Sequence, residues 1–305
     1  MEECDIAIVG GGGAGLTAAI YAARARRITL VFEGRMTGGQ IATTDVVENY
    51  PGFPEGINGF DLAHAMLVQA ERFGARVIYE GVTKLARNSD GTFLVASDGT
   101  EARARAVIVT AGADYDKLGV PGEAELTGRG VSWCATCDAA FFKDQDVAVV
   151  GGGDAALDEG LFLTRYARTV TLIHRRDSLR ASRILQERAR ANAKFRFRFN
   201  SVVERIIGDD TVTAVALRDT TNGEASQLAV SGLFIFIGQT PNNPLLRGLV
   251  PLDPGGHALV DLQMRTGVPG LFVAGDLRTQ AARQLVAACG DGATAAIAAE
   301  HYLSE

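Results

Sequence analysis

The sequence has little of what marks secreted, membrane or nucleic-acid-binding proteins. Its 305 residues include only four cysteines and one tryptophan, and 30 basic residues stand against 36 acidic ones, a formal net charge of −6. Four cysteines do not make a disulfide-stabilised scaffold, and the acidic excess argues against nucleic acid or an anionic membrane as a partner. No apolar run approaches the roughly 20 residues that a membrane-spanning helix needs.

Glycine is the one residue in excess, with 36 copies in a chain long enough for two domains with cores of their own. The first residues, Met1 to Asp5, are acidic and lead directly into an apolar run. We therefore expect no signal peptide. Since cysteines are few, a reducing, cytoplasmic setting fits best.

A glycine-rich turn lies between a predicted strand at 5–9 and a predicted helix at 16–26. Residues Gly10-Gly-Gly-Gly-Ala-Gly15 follow the pattern G-x-G-x-x-G. In this context the first glycine permits a tight turn, the second lets backbone amides reach a pyrophosphate, and the third lets helix and strand pack closely. Glu33 follows the next predicted strand, where a carboxylate can accept hydrogen bonds from ribose hydroxyls. This pattern predicts a dinucleotide site.

The same plan recurs in the second half of the chain. A predicted strand at 146–150 leads into Gly151-Gly-Gly-Asp-Ala-Ala156, a predicted helix at 157–167 and a further strand at 169–173. That strand ends in His174-Arg-Arg-Asp-Ser-Leu-Arg180 rather than in an acid. An acid there would receive the 2′-hydroxyl of NAD, whereas arginines accommodate a 2′-phosphate. The second site is therefore predicted to prefer NADPH to NADH.

Turn signals define the remaining organisation. Asp-Gly pairs at 90–91 and 98–99, and further turns at 209–210 and 222–223, predict a small antiparallel β insertion in each half. We therefore predict an α/β protein of two Rossmann-like nucleotide-binding domains, the second inserted into the first. The predicted boundaries assign residues 1–115 and 245–305 to the first domain and 116–244 to the second.

Between the two glycine motifs lies Cys134-Ala-Thr-Cys137, followed directly by Asp138. Two intervening residues allow a strained, easily reduced disulfide, and Asp138 could hold or deliver a proton. Half a zinc site and a pair of inert thiols are the alternatives. Zinc needs two further ligands at workable spacing, which Cys4, Cys289 and the four histidines do not offer, so we predict no metal site. A reducible disulfide between two dinucleotide sites suggests an electron relay.

Read together, these stretches resemble the low-molecular-weight thioredoxin reductases over essentially the whole chain. The resemblance implies FAD in the first domain, NADPH in the second, a homodimer, and electron transfer from NADPH through FAD and the Cys134–Cys137 disulfide to thioredoxin or a thioredoxin-like protein. Two alternatives stay open: a different dedicated redoxin or peroxidase-linked protein as acceptor, and a non-catalytic sensor of NADPH or redox state.

The motifs and the resemblance together give a set of expected site residues. Catalysis is expected at Cys134, Cys137 and Asp138. FAD is expected to bind to Gly10, Gly12, Gly13, Ala14, Gly15, Glu33, Gly38, Gly39, Gln40, Asn49, Ala111, Gly112, Gly275, Asp276, Arg283, Gln284 and Leu285. NADPH is expected to bind to Gly151, Gly153, Asp154, Ala155, His174, Arg175, Arg176 and Arg180. The redoxin is expected to dock at Arg129, Phe141 and Phe142.

Two residues at the rim of the cysteine segment depart from the family pattern. Trp133 precedes the first cysteine, where Tyr or a smaller residue is expected, and Ala139-Ala140 stands where the family tends to carry glycine. Because the cysteines lie in the NADPH half, one domain carries both the disulfide and the nicotinamide, and both must reach a flavin carried by the other. We therefore predict that the domains alternate by rotation, hinged at about 112–118 and 238–246.

Overall fold

A computed structural model describes residues 1–44, 47 and 49–305, without the side chains of Thr43, Thr136 and Cys137. The chain forms two compact units. Unit 1 comprises Met1–Asp114 and Thr240–Glu305, and unit 2 comprises Tyr115–Gln239. No helix in the described part of the chain is long and apolar enough to cross a membrane.

The described residues form seventeen strands and six α-helices. The strands are β1 (Glu2–Val9), β2 (Thr29–Phe32), β3 (Arg76–Ile78), β4 (Lys84–Arg87), β5 (Phe93–Ala96), β6 (Glu101–Val109), β7 (Ala113–Tyr115), β8 (Val131–Ser132), β9 (Asp146–Gly151), β10 (Thr169–Ile173), β11 (Phe195–Arg198), β12 (Ser201–Ile207), β13 (Ala214–Asp219), β14 (Ala225–Ala229), β15 (Gly232–Phe236), β16 (Gln239–Pro241) and β17 (Leu271–Val273). The helices are α1 (Gly13–Arg24), α2 (Gly59–Arg72), α3 (Ala135–Asp138), α4 (Asp154–Leu163), α5 (Arg183–Ala191) and α6 (Leu285–Ser304).

Unit 1 is built on a seven-stranded sheet of order β3-β2-β1-β6-β5-β4, with β17 also paired to β6. Strand β1 lies parallel to both β2 and β6, and its side chains alternate between two buried faces. Ile6 and Ile8 pack with the alanines of α1 and α6. Ala7 and Val9 pack on the opposite face with Phe93 and its neighbours. A strand that is apolar on both faces belongs at the centre of a covered parallel sheet.

Unit 2 repeats this layering around a five-stranded parallel sheet of order β11-β10-β9-β15-β8. Val147 and Val149 face the cluster that contains α4 and α5, and Ala148 and Val150 face the cluster that contains β12 and β13. Strand β9 is therefore covered on both faces, and the second glycine turn follows its carboxyl end.

Each unit contains the small antiparallel insertion that the turn signals predicted. Strands β4, β5 and β6 form one, with Gly91 in the left-handed region at φ 88°. Strands β12, β13 and β14 form the other, with Gly223 at φ 77°. Together with the two parallel sheets, these insertions confirm the predicted fold class.

Helix boundaries differ from the sequence prediction in a consistent way. Both helices after the glycine turns begin early, α1 at Gly13 and α4 at Asp154, because the turn residues enter the first helical turn. Helix α5 was not predicted at all. It is an arginine-rich helix of nine residues that fully buries only Ala189 and packs Leu185 against the core of unit 2, so its apolar face is narrow.

Candidate active site

The first glycine turn lies at the carboxyl end of β1. Gly10 adopts φ 105°, and a Cβ there would lie 2.6 Å from the carbonyl oxygen of Thr110. A Cβ at Gly15 would overlap the carbonyl oxygen of Gly10. At Gly12, in contrast, a Cβ would meet nothing closer than the carbonyl oxygen of Gly38, at 4.0 Å. A side chain would therefore clash at the first and third glycines of the motif, Gly10 and Gly15, whereas the space beside the second, Gly12, is open.

The side chain of Glu33 is hydrogen-bonded to this turn. One carboxylate oxygen accepts a hydrogen bond of 2.6 Å from the amide of Gly11, and the other accepts one of 2.7 Å from the amide of Arg35. The Gly38-Gly39 loop runs alongside, since the amide of Gly38 donates to the carbonyl of Gly11 at 2.7 Å. The amide nitrogen of the Gln40 side chain donates to the carbonyl of Ala113 at 2.8 Å.

The remaining expected FAD residues lie in unit 1 as well. Asn49 donates to the side chain of Gln284 at 2.9 Å. The side chain of Leu285 lies over Gly13, where an added Cβ would be 2.5 Å from Cδ1. Ala14 lies in the first turn of α1. The others follow β6 or β17 or lie in the loop before α6: Ala111, Gly112, Gly275, Asp276 and Arg283.

Sequence reasoning missed the ion pair that supports the Gly275 loop. Arg278 donates to Asp291 through two nitrogens, at 2.6 and 3.0 Å, and both side chains are largely buried. Asp291 also accepts from the amide of Gly275 at 3.2 Å. Burial raises the pKa of the neighbouring Asp276 carboxyl, and the charge of Arg283 opposes this rise. A charged residue inside the alanine-rich α6 was the available signal.

The second glycine turn, in unit 2, resembles the first at its first two motif glycines, Gly151 and Gly153, and carries Ala156 at the third position. A Cβ at Gly151 would overlap the carbonyl oxygen of Phe236, whereas at Gly153 it would meet nothing within 4 Å. Asp154 begins α4, and its carboxylate accepts a hydrogen bond from the amide of Ser182. Ala155 is exposed beside it.

The loop from His174 to Ser182, which we call the arginine loop, is fastened to this turn. The carbonyl of Gly152 accepts from the amides of Arg180 and Ala181, at 2.8 and 3.1 Å. Arg175, Arg176 and Arg180 have exposed side chains, as a phosphate site requires.

The side chain of His174 packs inward, whereas those of the three arginines are exposed. Its ring is buried beneath Gly152, where an added Cβ would overlap it, and Nε2 lies 3.0 Å from the carbonyl oxygen of Ser178. Burial lowers the pKa of this imidazole. Its ring therefore contributes to the shape of the turn and of the arginine loop, and its contact with the coenzyme stays a prediction.

The cysteine segment lies between β8 and β9. Cys134 is disulfide-bonded, and its amide donates to the hydroxyl of Ser132 at 3.0 Å. The indole nitrogen of Trp133 donates to the carbonyl of Asp116 at 3.3 Å. Asp138, half-buried, ends the single turn of α3. Cys137 belongs to the same turn, but its side chain lies outside the described residues.

The two remaining cysteines are free and buried. Burial raises the pKa of the Cys4 thiol to about 12 and also raises that of Cys289. Both are therefore poor nucleophiles at neutral pH. Among the residues that the structure describes, no group of three or more His, Cys, Asp or Glu is arranged to hold a metal ion.

The expected docking residues separate into surface and core. Phe141 is 75% exposed. Phe142 is buried and packs edge-to-face on Phe234, with ring centroids 5.4 Å apart. Phe142 thus belongs to the core of unit 2, and of the two phenylalanines it is Phe141 that is open to a partner. Arg129 is exposed, and its guanidinium donates to the carbonyl of Glu125.

Comparison with known proteins assigns the chain to a class. The model of the family described as "Pyridine nucleotide-disulphide oxidoreductase" matches residues 4–292. The two glycine turns and the disulfide at Cys134 are the features that such an enzyme requires.

Individual relatives narrow the assignment. The chain is 52% identical to a thioredoxin reductase of Mycolicibacterium smegmatis over 302 residues, covering 99% of this chain and 97% of the relative. It is 48% identical to a bifunctional thioredoxin reductase/thioredoxin of Mycobacterium leprae, covering 99% of this chain and 66% of the relative. The crystal structure of Lactococcus lactis thioredoxin reductase superposes with a TM-score of 0.89 at 40% identity, covering 99% of each chain. The chain belongs to the thioredoxin reductase family of pyridine nucleotide-disulphide oxidoreductases.

Membership confirms several predictions made from the sequence. The enzyme is an NADPH-dependent flavin disulfide oxidoreductase, and FAD and NADPH are the cofactors of its family. The residues present fit both groups. Gly12 and Gly153 leave the backbone open where a pyrophosphate would lie, and the two second strands end in Glu33 and in the arginine loop, respectively.

Proposed function

We propose that this enzyme is a thioredoxin-disulfide reductase that takes electrons from NADPH and delivers them, through FAD and the Cys134–Cys137 disulfide, to thioredoxin. The observation that carries the proposal is the disulfide at Cys134 in the unit that also carries the second glycine turn. The names of the relatives support thioredoxin as the acceptor. In the Mycobacterium leprae relative, the two activities are named for one polypeptide.

Unit 1 is assigned to FAD. The open backbone at Gly12 would face the pyrophosphate, and Glu33 would accept hydrogen bonds from the ribose of the adenosine half. The Gly38-Gly39 loop, Asn49 with Gln284, and the Gly275-Asp276 loop would surround the rest of the molecule. Bound FAD supplies the two-electron chemistry that links a nicotinamide to a disulfide.

Unit 2 is assigned to NADPH. Gly153 and the N-terminus of α4 would hold its pyrophosphate, and Arg175, Arg176 and Arg180 would hold the 2′-phosphate. A charge-assisted hydrogen bond contributes about 1.5–3 kcal/mol, so each arginine that bonds the phosphate would favour NADPH over NADH by roughly tenfold to a hundredfold.

The disulfide chemistry is assigned to Cys134, Cys137 and Asp138. Two electrons and two protons open the Cys134–Cys137 bond and leave two thiols. Asp138 would protonate a departing thiolate or adjust its pKa. A thiolate of this pair would then attack the disulfide of thioredoxin, and the second thiol would release reduced thioredoxin from the mixed disulfide and restore the Cys134–Cys137 bond.

Two copies of the chain are proposed to form a homodimer. Unit 1 exposes apolar side chains along two helices, with Phe60 and Val68 on α2 and Val286 and Ile297 on α6, each 46–59% exposed. Contiguous apolar patches are typical of surfaces that another protein covers, and we infer that these side chains belong to one. Sedimentation velocity on the FAD-loaded protein tests this proposal, and a single monomeric species at micromolar concentration would contradict it.

A thioredoxin reduction assay with Cys137→Ser tests the function. The variant should lose protein-disulfide reduction, because one sulfur cannot complete the exchange. NADPH should still bleach the flavin absorbance, since that step does not need the disulfide. Cys4→Ala, which removes a buried free thiol near the start of β1, serves as the matched control and should keep both steps.

The same assay separates the alternative functions. Faster turnover with a peroxidase-linked or other dedicated redoxin than with thioredoxin would change the acceptor and keep the chemistry. Slow NADPH oxidation with every disulfide protein would indicate a sensor rather than an enzyme and would contradict the proposal.

A further inference from the structure

An exposed cationic surface extends well beyond the arginine loop. Of the chain's 30 basic and 36 acidic residues, nine basic and only two acidic ones lie between Arg175 and Arg198. All nine basic side chains are exposed. We call them the cationic surface: Arg175, Arg176, Arg180, Arg183, Arg188, Arg190, Lys194, Arg196 and Arg198. The surface belongs to a chain that is otherwise strongly acidic.

Few carboxylates oppose these charges, although hydrogen bonds from Thr221 and, after them, the charge of Arg198 lower the pKa of Asp219. None of the ion pairs formed by described residues includes any of the nine. The hydrogen bonds that they make go to neutral acceptors. Arg190 donates to the side-chain carbonyl of Gln186 at 3.0 Å, and Arg198 donates to the hydroxyl of Ser226 at 2.9 Å. Their mutual repulsion therefore opposes folding, and an anionic ligand would relieve it.

The cationic surface is continuous with the second glycine turn. Helix α5 starts at Arg183, directly after the arginine loop that is hydrogen-bonded to Gly152. Strand β11 lies parallel to β10, so Arg198 pairs with Ile173, and the amide of His174 donates to the carbonyl of Arg198 at 2.9 Å. The outer arginines thus flank the place where the proposed 2′-phosphate would sit.

The three arginines of the arginine loop are assigned to the 2′-phosphate, but NADPH carries further negative charge. NADPH carries roughly four negative charges near pH 7, since a phosphate monoester contributes about −1.5 to −2 and the pyrophosphate about −2. The outer residues Arg183, Arg188, Arg190, Arg196 and Arg198 have no position in the nucleotide motif. A surface of one sign raises the local concentration of an oppositely charged ligand and its association rate, by about 10- to 1000-fold in strong cases.

We propose that the outer arginines steer the anionic coenzyme, phosphate end first, to the second glycine turn. This inference rests on the proposed NADPH site in unit 2. Because the outer arginines act at a distance, their effect extends over about 10 Å at 0.1 M salt and fades above that concentration. Contact residues of the arginine loop keep their effect at all salt concentrations.

Calorimetric titration with NADP⁺ tests the proposal without electron transfer. The triple variant R183Q/R188Q/R190Q removes three charges from α5 and leaves Arg175, Arg176 and Arg180 in place. Its association constant should fall by roughly three- to tenfold at about 20 mM ionic strength and match the unchanged protein at about 0.5 M. The second-order rate constant for flavin reduction by NADPH should fall by the same factor, with the limiting rate at saturation unchanged.

Matched variants distinguish electrostatic steering by the outer arginines from a general effect of lost charge and from loss of a direct phosphate contact. R26Q/R87Q/R265Q removes three exposed charges from unit 1 and should have no such effect. R176Q should weaken binding at every ionic strength. NAD⁺, which lacks the 2′-phosphate, should show a shallower salt dependence than NADP⁺. R196Q/R198Q, on β11, repeats the test independently of α5.

Four results would overturn the steering proposal. They are unchanged NADP⁺ affinity at low salt, an equal loss at all salt concentrations, an equal loss in the unit 1 variant, and an effect confined to the KM for the redoxin. An effect confined to the KM for the redoxin would indicate that the cationic surface binds an acidic protein partner instead. If NADPH reduces the flavin normally, these results leave the proposed function intact. If NADPH fails to reduce the flavin of the unchanged protein at any salt concentration, the proposed function itself fails.

Discussion

At the scale of single residues, Glu33 and His174 occupy corresponding places in the two units. Each follows the second strand of its unit and lies against the middle glycine of the turn, Gly11 or Gly152. The sequence pattern located both positions. It did not predict that His174 turns inward, because a pattern records where a residue stands in the chain and not which side of a turn its ring packs on.

The burial of His174 predicts a pH dependence of stability. Burial lowers the pKa of the folded protein's imidazole below the ordinary value of 6.5. The unfolded chain therefore takes up this proton at a higher pH than the folded chain does. The contribution to stability is complete above pH 6.5 and is lost as the pH falls below it, by at most about 1.4 kcal/mol per pH unit.

Replacing His174 by Gln should remove this contribution. Between pH 7.5 and 5.5, the free energy of unfolding should fall less in His174→Gln than in the unchanged protein. The fluorescence of Trp133, the only tryptophan and a residue of the same unit, monitors the transition. His64→Gln, at an exposed position on α2, is the control and should keep the original pH dependence. Equal slopes for all three proteins would contradict the prediction.

At the scale of elements, the glycine turns show which parts of a motif serve the fold and which face a ligand. Gly15 lets α1 approach β1, because a side chain there would overlap the carbonyl of Gly10. Gly12 has open space in front of it. The sequence motif does not distinguish these glycines. The structure shows that Gly15 is needed for packing, whereas Gly12 leaves space for the proposed pyrophosphate.

Alanine substitutions at Gly15 and Gly12 should therefore affect different properties, the first stability and the second FAD binding. Gly15→Ala should lower the free energy of unfolding by about 2 kcal/mol or more, as overpacking does. Gly12→Ala should leave the stability of the FAD-free protein within about 0.5 kcal/mol and reduce FAD binding. Urea unfolding and the FAD content of the purified protein measure the two effects. Full FAD retention by Gly12→Ala would argue against this position for the pyrophosphate.

Prediction of the elements succeeded for the buried strands and missed the arginine-rich helix α5. The strands at 5–9 and 146–150 were found because both faces are buried and the residues are uniformly apolar. Helix α5 is only nine residues long, and its apolar residues Leu185 and Ala189, which pack against the core of unit 2, stand among charged residues. So short and charged a segment was missed. Its arginines were therefore assigned to no element, although they form the largest part of the cationic surface outside the arginine loop.

At the scale of the whole molecule, the two linkers connect a unit with the proposed FAD site to a unit with the disulfide. The alternation of the two units by rotation stays a prediction. A non-reducible crosslink between engineered cysteines that holds the units in one arrangement should preserve either flavin reduction by NADPH or disulfide turnover, and should slow the other step at least about tenfold. The same cysteine variants without the crosslinker are the control. Full rates for both steps in the crosslinked protein would exclude rotation.

By itself, the sequence determined the class of fold, the duplicated nucleotide-binding plan and the cysteine pair, because turns, buried strands and redox chemistry depend on particular residues at short spacings. Only the tertiary structure decided which residues share an environment. It buried His174 and Phe142, paired Arg278 with Asp291, and gathered the arginines of α5 and β11 around one loop. These outcomes depend on how side chains and elements pack against one another, and motif spacing does not encode that packing.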